Sequence, residues 1–237
     1  MAVRSERRLA AILVADIAGY SRHVGRDEEG TVSALRSHLR AIIPIVAEHG
    51  GHVVDTAGDG VLAEFPSAVR ATEAAMAIQR RMEELDAGLP TKERLRFRIG
   101  INVGDVVVED ANIFGDGVNV AARLEQLAEP GGILVSGTAF DQLRGKLNVP
   151  FDFAGEQPVK NISHPVRTYS VRTQGAKRIW RLRAREARRY LPLALGLFGL
   201  AFAGTAVWWL KPTEPGLAAK PSIAVLPFDN IGGDDTK

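Results

Sequence analysis

Hydrophobic and polar positions along this chain alternate between a strand-like and a helix-like rhythm. Leu9 to Ile17 (LAAILVADI) is a nearly continuous apolar run containing Ile and Val, closed by the turn-like Ala18-Gly19-Tyr20-Ser21. It predicts a buried central strand ending at Asp16. Val32, Leu35, Leu39, Ile42, Ile43 and Val46 then recur three or four residues apart, predicting a helix capped by Asp27, kinked at Pro44 and stopped by Gly50-Gly51. Two short apolar runs in HVVDTAGDGVLAEF meet across residues 56–60, a hairpin with Asp59 at its turn. Ser67 to Leu85 reads as a second helix and Arg96 to Val108 as a strand. The loop DANIFGDG (110–117) leads to a third helix over 118–128, followed by a strand (131–136), a short helix (137–144) and terminal strands at 151–155 and 166–171. The alternation predicts an α+β fold, with helices packed on one sheet.

The pattern changes at Leu191. From there to Leu210 the sequence LPLALGLFGLAFAGTAVWWL carries no charge, enough as a helix to cross a hydrocarbon layer about 30 Å thick. The basic stretch before it, Lys177 to Arg189, marks that side as cytoplasmic by the positive-inside rule, and Trp208, Trp209, Lys211 and Pro212 suit the far interface. The expected organisation is a folded domain over 1–172, a basic juxtamembrane segment over 173–190, one membrane helix over 191–210 and a far-side tail over 211–237. The expected location is the inner (cytoplasmic) membrane, single-pass, with the N-terminal domain in the cytoplasm.

Charge sharpens this division. Of the net +2 at neutral pH, residues 173–211 hold +7 and residues 212–237 hold −2, which leaves −3 for the first 172. That domain has no basic footprint for nucleic acid. The chain has no cysteine, which excludes disulfides, thiolate catalysis and cysteine-bound zinc.

Two acids stand where chemistry is possible, Asp16 at a strand end and Asp59 beside Gly58 and Gly60. Paired carboxylates suit Mg²⁺, which keeps its other positions for substrate oxygens, although an Asp in a turn often only caps backbone. Asn119 and Arg123 lie four apart and share a helix face, which suits a ribose and a phosphate or simply solvent.

These segments together resemble the class III adenylate and guanylate cyclases. ADIAGYS (15–21), TAGDGVLAEF (56–65), RIGINVGDVV (98–107), IFGDGVNVAARLE (113–125), GGILVS (131–136) and VKNISHPVRTYSV (159–171) follow the family's order over Arg8 to about Arg172. The resemblance implies a ferredoxin-like, palm-like βαββαβ core that forms a head-to-tail homodimer with active sites at the interface. It implies two Mg²⁺ or Mn²⁺ ions on Asp16, Asp59 and the backbone carbonyl of Ile17. Phosphates would lie on the amides of the turn through Ala18, Gly19, Tyr20 and Ser21. Asn119 would orient the ribose, Arg123 would stabilise the transferring phosphoryl group, and Lys160 would bind the triphosphate. The product would be a 3′,5′-cyclic nucleotide.

Two base-reading positions depart from the adenylate pattern, since Asp55 stands where a Lys is usual and Asn112 where an Asp or Thr is usual. Asp55 can only accept when ionised, and Asn112 both donates and accepts. ATP is the favoured substrate on the resemblance, with guanylate or pyrimidine cyclisation as the alternative and a catalytically silent nucleotide-binding module as the other. Gly232-Gly233-Asp234-Asp235 invites comparison with diguanylate cyclases, but it falls in the polar tail beyond the apolar run. The segment KPSIAVLPFDN (220–230) resembles the opening strand of TolB-like domains, which suggests a piece of a longer protein.

Overall fold

The computed structural model describes residues 6–172, apart from 57, 110, 111, 160, 161 and 163. The chain runs β1 (Glu6–Ile17), α1 (Tyr20–Val24), α2 (Glu28–Glu48), β2 (His52–Asp55), β3 (Val61–Phe65), α3 (Ala68–Leu85) and β4 (Phe97–Glu109). It continues through β5 (Asn112–Phe114), α4 (Asp116–Leu127), β6 (Ile133–Ser136), α5 (Gly137–Leu143), β7 (Phe151–Gln157) and β8 (Val166–Val171). One eight-stranded sheet has the order β2-β3-β1-β4-β6-β8-β7, with β5 also paired to β4. Every ladder is antiparallel except β4 with β6. The order β2-β3-β1-β4 is the expected βαββαβ core, with β1 paired on both edges, to β3 and to β4.

Alternation along β1 divides the sheet into two faces. Ala11, Leu13, Ala15 and Ile17 pack in one cluster with Leu35, Ile42 and Val46 of α2 and Ala71, Ala74, Ala75 and Ile78 of α3. Ala10 and Ile12 point the other way, into a smaller cluster with Val106, Ile113 and Ala121 of α4. Helices therefore lie on both faces. Each helix start has a local cause where a polar residue precedes it: Asp27 accepts from Gly30 N–H at 3.0 Å, Ser67 from Arg70 N–H at 3.3 Å and Ser136 from Ala139 N–H at 3.1 Å.

Several boundaries differ from the sequence expectation. Strand β1 begins at Glu6, because its first residues pair with the long β4, and it ends at Ile17 rather than Asp16. Tyr20 and Ser21, expected in a turn, open the short helix α1. Pro44 lies inside α2, which runs on to Glu48, just short of the expected stop at Gly50-Gly51. Pro44 is exposed, so water can satisfy the Arg40 carbonyl that loses its amide partner. The expected loop over 110–117 contains β5, so Asn112 is a strand residue paired with Glu109, and α4 begins two residues early at Asp116. Among the described residues no helix is long and apolar enough to cross a membrane. The expected span over 191–210 and its flanks lie outside them.

Candidate active site

Asp16 is the penultimate residue of β1, on the face that α4 covers. Its Oδ1 accepts from the amide of Ile17 at 2.8 Å, which fixes the carboxylate at the strand end. Asp59 sits in the turn between β2 and β3 and is drawn to within hydrogen-bonding reach of Asp16. Burial pushes the Asp59 carboxyl up from 3.8 to about 6, and Asp16 adds to this by hydrogen bond and by charge, while Arg98 opposes it. Two half-buried carboxylates that resist joint ionisation are a site for positive charge.

Within the chain that charge comes from Arg98, which register places directly opposite Asp16 on β4. Its Nη2 lies 3.1 Å from Asp16 Oδ2 and 2.8 Å from Glu125 Oε1. The second approach meets an ion-pair distance but not hydrogen-bond alignment, so Glu125 Oε1 and Arg98 Nε both lack an aligned partner. Glu125 is only 4% exposed. Burial drives its carboxyl up to about 7 against the pull of Arg98, with Asp16 and Asp59 pushing it further up. The sequence reading missed Arg98 and Glu125. A signal existed, since Glu125 falls on the buried stripe of α4 with Gly117, Ala121 and Leu124, where a bare acid requires a partner.

Asn119 and Arg123 project exposed from α4, and Arg123 Nη1 donates to Gln126 Oε1 at 3.3 Å. Neither makes a hydrogen bond or ion pair with Asp16 or Asp59 among the described residues, so one chain brings the two acids together but not the Asn–Arg pair onto them. Asp55 ends β2 beside a bulge and is exposed, and Asn112 on β5 is exposed as well. In the turn after β1, the Ala18 amide donates to the Arg96 carbonyl at 2.9 Å and the Ile17 amide to Asp16, while Gly19 takes a φ of 73°. The backbone of Gly19, Tyr20 and Ser21 is the part of that turn left to meet a phosphate. Lys160 lies outside the described residues.

The oxygen donors fit a divalent ion. Mg²⁺ and Mn²⁺ take hard oxygen ligands, one or two carboxylates suffice when substrate phosphates fill the remaining positions, and Asp16 with Asp59 forms such a pair.

An open strand end holding two acids, on a βαββαβ sheet flanked by helices, is the arrangement of a nucleotidyl cyclase domain. The family model for the adenylate and guanylate cyclase catalytic domain matches residues 4–173, and the chain belongs to that family. It is 42% identical over 229 residues to "Putative adenylate cyclase 3" of Rhizobium meliloti, covering 96% of this chain and 35% of that protein. It is 35% identical over 136 residues to an adenylate cyclase of Streptomyces coelicolor, covering 57% of this chain and 34% of that protein. The chain thus spans about a third of the length of these relatives. Among solved structures, the adenylate/guanylate cyclase/hydrolase of Silicibacter pomeroyi shares 45% identity at a TM-score of 0.68, over 72% of this chain and all of that one. The adenylyl cyclase CyaB of P. aeruginosa shares 26% at a TM-score of 0.64, over 73% and 98%.

Proposed function

We propose that this chain is a nucleotidyl cyclase that converts a nucleoside triphosphate, with ATP favoured, into a 3′,5′-cyclic nucleotide and pyrophosphate, at sites completed by a second copy of itself. The observation that carries this reading is the Asp16–Asp59 pair, held at a strand end and a hairpin turn with one carboxyl pushed up to about 6. Asp16, Asp59 and the Ile17 carbonyl would hold divalent metal. Bound there, such ions supply Lewis acidity toward the 3′-hydroxyl and neutralise phosphate charge. In the reaction the ribose 3′-oxygen bonds to the α-phosphorus as its hydroxyl proton passes to solvent or to the departing pyrophosphate, and the bond from that phosphorus to its bridging oxygen breaks to release pyrophosphate.

The chain's own residues position and stabilise. Arg98 balances the two acids, Asn119 orients the ribose and Arg123 faces the charge that develops on the phosphoryl group. Because Asn119 and Arg123 are exposed on α4 and make no hydrogen bond or ion pair with the acids of their own chain, a two-fold dimer that sets α4 of one copy against the acids of the other would supply both halves twice. Asp55 and Asn112 are exposed on the same chain and would meet the base. Incubation with each of the four nucleoside triphosphates and Mg²⁺ or Mn²⁺, followed by mass spectrometry, is expected to yield cyclic AMP. Cyclic GMP or a cyclic pyrimidine nucleotide alone would reassign the base, and no cyclic product from any triphosphate would overturn the enzymatic reading.

The same proposal anchors the domain to the inner membrane through residues 191–210, with the basic segment over 173–190 on its cytoplasmic side. The support is the uncharged run and the charge asymmetry. A full-length chain that remains in the soluble fraction without detergent would refute the anchor.

A further inference from the structure

The face of β4 beneath α4 has glycine at two of its positions, Gly100 and Gly104. Its residues alternate to present Arg98, Gly100, Asn102 and Gly104 toward the helix. A Cβ on Gly100 would collide with the Ala121 carbonyl and the Glu125 amide, and one on Gly104 would come within 3.1 Å of Gly117 Cα. On the helix side, a Cβ on Gly117 would meet the Asp105 carbonyl and Ile12 Cδ1 at 2.8 Å. Backbone therefore lies on backbone. Such a seat brings α4 close to the strand, and the apolar packing of Ala121 with Ile12 and Val106 holds the helix down without the directionality that a hydrogen bond gives.

Asn102 is the polar side chain inside this seat, between the two glycines, and it is 5% exposed. Its Nδ2 donates to the Gly117 carbonyl in the first turn of α4 at 2.9 Å. Its Oδ1 accepts from the Thr138 hydroxyl at 3.1 Å, and that hydroxyl also lies 2.9 Å from the Val103 carbonyl. The Thr138 proton is thus directed at Asn102 and Val103, so Ser136 Oγ, 2.8 Å away, donates to Thr138 while accepting from the Ala139 amide. This chain of donors fixes which way the amide points. Turned over, its oxygen would face the Gly117 carbonyl, an acceptor against an acceptor.

We infer that Asn102 is a positioning residue for the cyclase reaction, pinning α4 along β4 so that Asn119 and Arg123 present at the height the substrate requires. Asn119 lies two residues beyond Gly117 and Arg123 one helical turn further, so a slip of the first turn displaces both. The inference rests on the reading above in which those two residues meet substrate. It places the control of their geometry in the buried amide of Asn102 and the hydroxyls of Ser136 and Thr138.

The test uses the full-length chain. Asn102→Asp keeps the shape but sets an acceptor against the Gly117 carbonyl, and Thr138→Val removes the hydroxyl that orients the amide, whereas Thr138→Ser retains it. A displacement of about 1 Å can lower a catalysed rate roughly a hundredfold. Asn102→Asp is therefore expected to lower kcat about tenfold to a hundredfold, Thr138→Val less, and Thr138→Ser scarcely at all. The Mg²⁺ half-saturation should stay unchanged, since Asp16 and Asp59 lie on other elements. A general loss of folding would not produce this division.

Mixed dimers give a second readout. Asn102→Asp chains combined with Asp59→Ala chains are expected to recover activity toward roughly a quarter of wild type, because half of randomly paired dimers keep one intact site. Combined with Arg123→Ala chains they should recover nothing. Wild-type kcat in Asn102→Asp, a shift in metal half-saturation instead of kcat, or recovery with Arg123→Ala would each overturn the inference. Should Asn102→Asp fail to fold, Thr138→Val against Thr138→Ser decides it by the same division. The control mixture of Asp59→Ala with Arg123→Ala separates the two ideas. If it fails to recover, the two-chain site falls, and the positioning role then stands or falls on kcat against metal half-saturation alone.

Discussion

The two faces of the sheet bury different mixtures of side chains. Under α2 and α3, β1 contributes Ala11, Leu13, Ala15 and Ile17 to a continuous apolar cluster in which Ile42 and Ile78 are fully buried. Under α4 the same strand contributes Ala10, Ile12, Val14 and then Asp16, while β4 contributes Arg98, two glycines and Asn102. One face gains stability by removing apolar surface from water. The other also buries Ile12, Val106 and Ala121 but retains a misaligned Arg98–Glu125 pair and two acids whose charges conflict, and the candidate chemistry lies there. The two-residue period of a strand thus keeps Asp16 and Arg98 off the purely apolar face.

The largest expected effect comes from removing an acid on the reactive face. Asp16→Ala or Asp59→Ala should lower turnover by at least about a thousandfold, since metal assistance contributes several kcal/mol to the barrier. The circular dichroism spectrum should be preserved. Near-normal turnover with unaltered metal dependence in either variant would remove the metal assignment and with it the functional half of the comparison.

On the apolar face the effect should appear in stability instead. Ile78→Ala is expected to destabilise the domain by about 2–5 kcal/mol, read from a denaturant melt, while the Mg²⁺ half-saturation of the folded fraction stays as in wild type. A shift in metal affinity would show that the two faces are coupled.

Gly100→Ala tests the seat of α4. Its Cβ meets backbone of Ala121 and Glu125, which cannot rotate away, so the helix must lift. A cost of about 1–3 kcal/mol is expected from overpacking, together with a fall in kcat. Unchanged kcat in a destabilised protein would mean that the height of α4 over β4 has no bearing on the reaction.

The smallest effect has the opposite sign. Asp59 holds its proton more tightly folded than unfolded, about 6 against 3.8, so its contribution is favourable at low pH and is lost as pH rises through about 6. Asp59→Asn removes that conflict and should stabilise the metal-free protein at pH 8. The gain is about 1 kcal/mol once partial exposure is allowed for. It should shrink as pH falls below 6 and vanish near 4. Saturating Mg²⁺ should raise the Tm of wild type but not of Asp59→Asn. A loss of stability in metal-free Asp59→Asn at pH 8 would show that the two acids are not in conflict, and the contrast between the faces would weaken accordingly.

Much of this was legible in the chain. Local patterns set the elements, because the strand and helix periods and the caps at Asp27 and Ser67 depend on neighbours within a few residues. Asp16, Asp59, Asn119 and Arg123 could be singled out because each sits in a recognisable local motif. What lay beyond reach involved partners far apart in sequence. The 82-position separation of Asp16 and Arg98 is closed only by the β1–β4 register, and Asn112 became a strand residue only because β4 extends far enough to pair with it. The burial of Glu125, the glycine seat of α4 and the hydrogen bonds that orient Asn102 likewise required the sheet to be assembled. A sequence records which side chains are present and their local rhythm, whereas the fields and close contacts that shift a carboxyl or pin a helix arise between residues the chain alone does not bring together.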